Sequence, residues 1–274
     1  MGSLEFVDTH CHIHEATMGT GGDEFVRNKW EKAGITSPDR LIKDAEVAGI
    51  TRLICVGCTL RDSEMAVDLA GTQPNCWASV GIHPHEAKYH LSKATQTTFA
   101  ELVSRPRVVS IGECGLDYYY LHSPKPAQRE ILEFQLELAQ KHDLPLIFHV
   151  REAFPDFWRI LDNFGRFRGV VHSFSSDRAE LEQVLSRGLY VGLNGIMTFT
   201  KNTQQLEVAK AVPIDRLLLE TDAPFLTPVP ERGTICQPKH LRVTAEFLAG
   251  LRDEDLADLA KITTQNACNL FSLE

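Results

Sequence analysis

The sequence is first defined by what it lacks. None of its 274 residues belong to an apolar run approaching the roughly 20 residues that a membrane-spanning helix needs. Its start has no basic segment followed by an apolar stretch, so no secretory leader is expected. Met1-Gly2 is followed by Phe6 where an N-myristoylation pattern needs Ser or Thr. The seven cysteines (Cys11, Cys55, Cys58, Cys76, Cys114, Cys236 and Cys268) are odd in number and irregular in spacing. That excludes a disulfide scaffold and points to a reducing, cytoplasmic setting. Cys55 and Cys58 form a C-x-x-C with no second pair to partner it, and read as small buried residues. No G-x-G-x-x-G follows the first apolar run, and no G-x-S-x-G occurs, so dinucleotide binding and a serine nucleophile lack their signatures. Positive charge is also short: 28 Lys and Arg against 37 Asp and Glu give a net −9. A surface coated to grip long nucleic acid is thereby disfavoured, while a local cationic pocket is not. Linkers, repeats and low-complexity segments are missing, so the chain reads as one domain over 1–274.

What is present is a regular alternation. Short apolar runs lie near Leu4–Val7, Leu53–Val56, Cys76–Val80, Val108–Ile111, Leu144–Phe148, Val170–Val171, Leu189–Leu193 and Leu217–Leu219. Several are apolar at successive positions, which suits parallel strands buried on both faces. Amphipathic helical patterns separate them: Leu41, Ala45 and Ala48 share one face, as do Leu132, Leu136 and Ala139, and Leu241, Ala245 and Leu248. Ser37-Pro38 reads as a helix N-cap followed by proline at the first position. Eight strand–helix units in a chain of this length predict an α/β fold, a single (β/α)8 TIM barrel, with extra helical turns over roughly Glu254 to Phe271. An open doubly wound sheet is the alternative. The connection from Glu15 to Thr36, with Gly19, Gly21 and Gly22, reads equally as a flap over the barrel mouth or an ordered surface excursion.

The chemistry lies where the apolar runs end. Asp8-Thr9-His10-Cys11-His12 closes the first, and extended geometry points His10 and His12 the same way. His83 and His85 follow the third run, Glu113 the fourth, His149 the fifth, His172 the sixth and Asp222 the eighth. In a barrel these ends converge on the C-terminal rim, where active sites of that fold lie. Burying so many ionisable groups together is costly unless cations pair them. His10, His12, His149, His172, Glu113 and Asp222 suit Zn, Mn, Fe or Co better than Ca. Six ligands are too many for one zinc with an open position; they suit two divalent ions about 3.5–4 Å apart, with Glu113 as the bridging carboxylate. Two such ions and two carboxylates leave the pocket near +2, suited to an anionic substrate.

These residues resemble the TatD family of metal-dependent deoxyribonucleases, within the amidohydrolase-like barrels. The likeness runs from D-x-H-x-H at Asp8–His12 through G-I-H-P-H (Gly81–His85), G-E-C-G-L-D (Gly112–Asp117), H-x-R-E-A (His149–Ala153), H-S-F (His172–Phe174) and E-T-D-A-P-F-L (Glu220–Leu226) to Asn266 and Phe271. The resemblance implies Mg- or Zn-type metal-dependent hydrolysis of DNA phosphodiesters, often 3′-to-5′ on single strands. It implies one ion on His10, His12, Glu113 and Asp222 and another on Glu113, His149 and His172. It gives His83 a phosphate contact and makes Asp117 and Arg151 positions that support the metal ligands or face substrate. The family's R-N-E-P segment is replaced here by Thr234-Ile235-Cys236-Gln237-Pro238, with only the proline kept. Tyr118-Tyr119-Tyr120 reads either as a stacking surface for a base or as packing at the solvent edge.

The expected mechanism has Asp222 taking a proton from a metal-activated water, with Glu113 and His83 completing the catalytic set. The expected partner is DNA, short or single-stranded, with no membrane and no obligate protein partner. Two alternatives stand beside this one: the same ligands cleaving a small ester, lactone or amide, and a non-enzymatic metal-binding scaffold. A carboxylated lysine bridges the metals in many amidohydrolases, and Glu113 occupies that place here.

Overall fold

The computed structural model describes residues 4–17 and 22–273. Met1, Gly2 and Ser3, where the acylation pattern was read, and Gly19 and Gly21 of the long connection lie outside the described residues.

The apolar runs form eight parallel strands: β1 (Phe6–Cys11), β2 (Ile50–Val56), β3 (Cys76–Val80), β4 (Val108–Asp117), β5 (Leu146–Arg151), β6 (Gly169–Val171), β7 (Tyr190–Leu193) and β8 (Leu217–Leu219). They pair in chain order from β1 to β8. The circle is drawn together by a parallel bridge between Cys11 and Ala223, with His12 N donating to Ala223 O at 2.7 Å and Asp222 N to His10 O at 2.8 Å. The helices are α1 (Glu24–Lys32), α2 (Pro38–Val47), α3 (Leu60–Thr72), α4 (Lys93–Val103), α5 (Lys125–His142), α6 (Phe154–Phe164), α7 (Arg178–Ser186), α8 (Thr203–Ala211), α9 (Leu241–Arg252) and α10 (Leu256–Phe271). The (β/α)8 barrel is therefore the fold, and α10 accounts for the expected terminal turns.

Two-residue periodicity sorts the strand side chains. Phe6, Leu53, Cys55, Ala78, Phe148, Val191 and Leu217 pack in one cluster with the helices, among them Leu41 and Ala45 of α2 and Leu132 and Leu136 of α5. The alternate positions Val7, Ile54, Val56, Val109, Ile147, Val170 and Leu218 form a second cluster with Ala267, Leu270 and Phe271 of α10. One set therefore seats the helical shell. The other fills the barrel, and the last helix plugs it at the end remote from the polar rim. Ser37 Oγ accepts from Asp39 N at 3.3 Å with Pro38 at the first helical position, as the N-cap reading of α2 required.

Two expectations about boundaries change. β4 continues to Asp117, well past Ile111, because Gly112 and Gly115, both at φ 146°, let it bend against β5 where a side chain would not fit. A Cβ on Gly115 would stand 1.9 Å from His149 O. The described part of the Glu15–Thr36 connection is an ordered excursion: it contains α1, whose buried Trp30 donates Nε1–H to His12 O at 3.1 Å.

Candidate metal centre

The ends of seven strands, all but β7, deliver polar side chains to one cleft of about 440 Å³. His12, Cys58, His83, His85, Glu113, Asp117, Arg151 and Asp222 are among the residues around it. Glu113 is its hub. One carboxylate oxygen, Oε1, lies 2.8 Å from His149 Nδ1, 3.0 Å from His172 Nε2 and 3.4 Å from His83 Nε2. The other, Oε2, lies 3.3 Å from His10 Nε2 and 3.8 Å from Cys58 Sγ. Beyond it, His10 Nε2 stands 3.3 Å from His12 Nε2, and His12 Nε2 stands 3.4 Å from Asp222 Oδ1. The His10 and His172 rings stack at 4.0 Å, which joins the two halves.

These separations fit shared cations. Two ligand atoms each about 2.0–2.2 Å from one zinc, at near-tetrahedral angles, stand roughly 3.4 Å apart. The His10, His12, Glu113 and Asp222 contacts cluster about that value, and Glu113 Oε1 faces a second imidazole set. The sequence-read ligands are thus brought together, His10–His12–Asp222, His10–Glu113–His172 and His83–Glu113–His149 each lying within ligating reach; His172 groups with His10, and His149 with His83, rather than with each other.

The electrostatics match. Burial works to raise Glu113, yet His172, His83 and His10 around it hold it well below the ordinary carboxylate range. Burial likewise opposes ionisation of Asp222, but the hydrogen bond from His12 and the neighbouring imidazoles hold it down. Burial pushes His12 toward neutrality, and the bond to Asp222 overcomes this and raises it to about 9. His172 is raised against its own burial by Glu113 and Glu220. The cleft thus demands positive charge next to its carboxylates, which a divalent ion satisfies more fully than a proton.

Outer partners fix the imidazole orientations. His12 Nδ1–H donates to Val56 O at 2.8 Å, which fixes the ring with Nε2 toward Asp222. Asp117 is buried and meets His149 Nε2 at 3.2 Å and His85 Nε2 at 2.9 Å, and it accepts from Tyr119 N and Tyr120 N. It therefore stands behind His149. His83 is different: its Nδ1 accepts from His85 N at 3.1 Å, and burial lowers its pKa to about 4. A neutral His83 with Nδ1 occupied carries its proton on Nε2, which faces Glu113 as a hydrogen-bond donor. Asp222 is held at φ 58°, a conformation few residues other than glycine adopt. Asp8, which sequence placed beside the ligands, turns from them: Oδ1 accepts from Thr221 N at 2.9 Å and Oδ2 from Thr221 Oγ1 at 2.6 Å.

Sequence reading missed three residues. Cys58 was read as a small buried residue, yet it lines the cleft beside Glu113; its position directly after β2, the one early strand without a His at its end, was the available signal. Glu220 meets His172 Nδ1 at 3.3 Å and accepts from Ser173 N at 2.6 Å. Asn194 donates to Glu220 Oε1 at 3.1 Å, and nothing in its local sequence marked it. The replaced segment 234–238 contributes none of the residues lining the cleft; Cys236 is buried and its N–H donates to Pro224 O at 3.2 Å.

A parallel barrel with two imidazole–carboxylate sets meeting on one rim carboxylate has the architecture of the metal-dependent barrel hydrolases. The chain belongs to the TatD family: the family described as TatD related DNase matches residues 7–272. It is 37% identical over 245 residues to the 3′-5′ ssDNA/RNA exonuclease TatD of Erwinia tasmaniensis, covering 86% of this chain and 93% of that protein. It is 32% identical over 268 residues to the metal-dependent hydrolase YabD of Bacillus subtilis, covering 97% and 98%. Among solved structures, YJJV, a TatD homologue from Escherichia coli K12, matches with a TM-score of 0.85 at 25% identity over the full length of both chains.

Proposed function

We propose that this protein hydrolyses phosphodiester bonds of single-stranded DNA from the 3′ end, using two divalent ions, with zinc, manganese or magnesium as the candidates. The observation that carries the reading is Glu113, one oxygen of which meets His149, His172 and His83 and the other His10, so that one carboxylate could serve two ions. His10, His12, Glu113 and Asp222 would hold one, and Glu113, His149 and His172 the other. Ions held there would supply Lewis acidity toward a phosphoryl oxygen and lower the pKa of water. Asp222, ionised and at the cleft wall, accepts the proton of the attacking water. His83, neutral with its proton on Nε2, donates to a non-bridging oxygen as charge develops there. Asp117 keeps His149 oriented. Arg151, exposed at the cleft edge, meets the phosphate backbone. The name of the Erwinia relative supports the single-strand preference and the direction. Among the described residues no helix is long and apolar enough to cross a membrane. All seven cysteines are free, which suits a reducing cytoplasm.

The test is a metal-reconstituted assay on oligonucleotides labelled at the 3′ or the 5′ end, alongside a panel of lactones and amides. Stepwise loss of 3′ nucleotides is expected. Turnover of a lactone or amide with none on any oligonucleotide would overturn the reading.

A further inference from the structure

Two aromatic shelves stand at the mouth of the cleft, and neither contributes a side chain to the ligand set. The first joins Phe25 of α1 to Phe225, which follows β8. Their rings stack at 5.9 Å and 18°, and Lys29 Nζ lies 4.9 Å from the Phe25 centroid and 5.3 Å from that of Phe225. The second is formed by Tyr119 and Tyr120, which follow β4, with the Arg151 guanidinium at the end of β5 lying 4.4 Å and 4.8 Å from their centroids. His122 stacks on Tyr120 at 5.5 Å. Phe25, Phe225, Tyr120 and Arg151 all line the cleft that holds the metal ligands.

The strand order fixes where the shelves stand. β1 and β8 are joined on one side of the barrel, and β4 and β5 lie across from them in an eight-stranded circle. The shelves therefore rise on facing sides of the mouth, with Glu113 and its imidazoles between them. Phe25, Tyr119 and Tyr120 are 64%, 53% and 50% exposed, which leaves large ring surface open to a ligand. On each shelf a cation lies against the rings. A single-stranded nucleic acid presents the complementary pattern, flat bases alternating with charged phosphates. Bases stack on aromatic rings and on guanidinium planes alike.

We propose that the two shelves are nucleobase seats. One takes the base of the terminal nucleotide and the other the base of its neighbour, so that the phosphodiester between them lies over the metal centre. This rests on the nuclease reading above and goes beyond it: binding is read through base faces, which accounts for a preference for unpaired strands, since a duplex keeps its bases stacked inside. It also assigns α1, an excursion from the barrel, a direct substrate contact through Phe25.

The test compares oligonucleotides that differ only in a missing base, at the last nucleotide or at the one before it, with the metal-loaded protein. For the unaltered protein, removing either base is expected to lower kcat/KM by roughly 5- to 100-fold, mainly through KM, the range of a lost base-stacking contact. Phe25→Ala should abolish that discrimination at one of the two positions and Tyr120→Ala at the other, with bound metal per chain unchanged in both. A 2-aminopurine placed at the corresponding position should lose its quenching on binding in the matching variant only. Equal turnover of complete and abasic strands by the unaltered protein would overturn the seats and leave the nuclease reading intact, as would variants that lose discrimination at both positions or at neither. Failure to cut any strand, complete or abasic, would remove the nuclease reading and the seats with it.

Discussion

Replacing Glu113 by alanine tests the centre most directly. The residue is 4% exposed, and its side chain touches His83, His149 and His172 through one oxygen and His10 through the other. Removing an outer partner of a metal ligand typically costs 10- to 100-fold in metal affinity. Removing a direct ligand shared by two ions should cost at least about 100-fold for each, so dialysed Glu113→Ala protein should retain well under one ion per chain by atomic emission. Turnover should fall with metal content, at least about 1000-fold if each ion contributes on the scale of one oxyanion donor. The metal-free protein should also be affected. Glu113 is held low and His172 high, so their pairing adds stability above the ordinary carboxylate pKa and below the raised value of His172. Breaking a buried pair costs about 3–5 kcal/mol. Glu220 still faces His172, which places the loss at the lower end, roughly a 6–12 °C fall in Tm near neutrality for a domain of this size. The deficit should narrow at alkaline pH, as His172 loses its proton. Glu113→Ala protein with two ions per chain and undiminished turnover would refute the bridging role.

Three further outcomes are expected. Replacing His10 and His12 together by alanine should empty one ion position, leave the Glu113–His149–His172 position partly filled and abolish turnover; surviving activity would mean that a single ion suffices. Cys58→Ser should shift metal preference from zinc toward manganese by roughly 10-fold, because a soft sulfur beside Glu113 favours the softer ion, and competitive metal titration of both proteins measures this. Zinc affinity should rise with pH from mildly acidic conditions to about 9, since His12 must give up the proton that Asp222 helps it hold; isothermal titration across that range should show proton release diminishing as affinity levels off.

The barrel was legible because its strands are buried on both faces, so apolar runs marked them without help from alternation. The ligands were legible because a polar residue ending such a run has few structural reasons to be there. What escaped detection was whatever acts through a neighbour. Asp8 sits among the histidines in sequence and on their face of the strand, yet its bonds to Thr221 N and Oγ1 hold its carboxylate at the β1–β8 seam. Asn194 carries no pattern of its own, because its role arises only when β7 and β8 pair and bring Glu220 to it. Cys58 was obscured by Cys55: a C-x-x-C invites a paired reading, while Cys55 points into the helical shell and Cys58 lies in the cleft. β4 outran the apolar run that marked it because Gly112 and Gly115 let the strand press on against β5 and carry Asp117 behind His149.

The seam between β1 and β8 also sets an order of events. Asp8 and Thr221 are 213 residues apart in the chain, and the carbonyl of His10 receives its bond from Asp222 itself. Contacts of such long range are made late, after shorter loops have closed. His10 and His12 emerge from the ribosome early, and His10 can meet Glu113 midway, but both gain Asp222 only after β8 has been made. A nascent or truncated chain lacking β8 therefore has imidazoles without Asp222, and ring closure completes the cluster. A chain still being synthesised therefore lacks the complete set of strand-end side chains until β8 has joined β1.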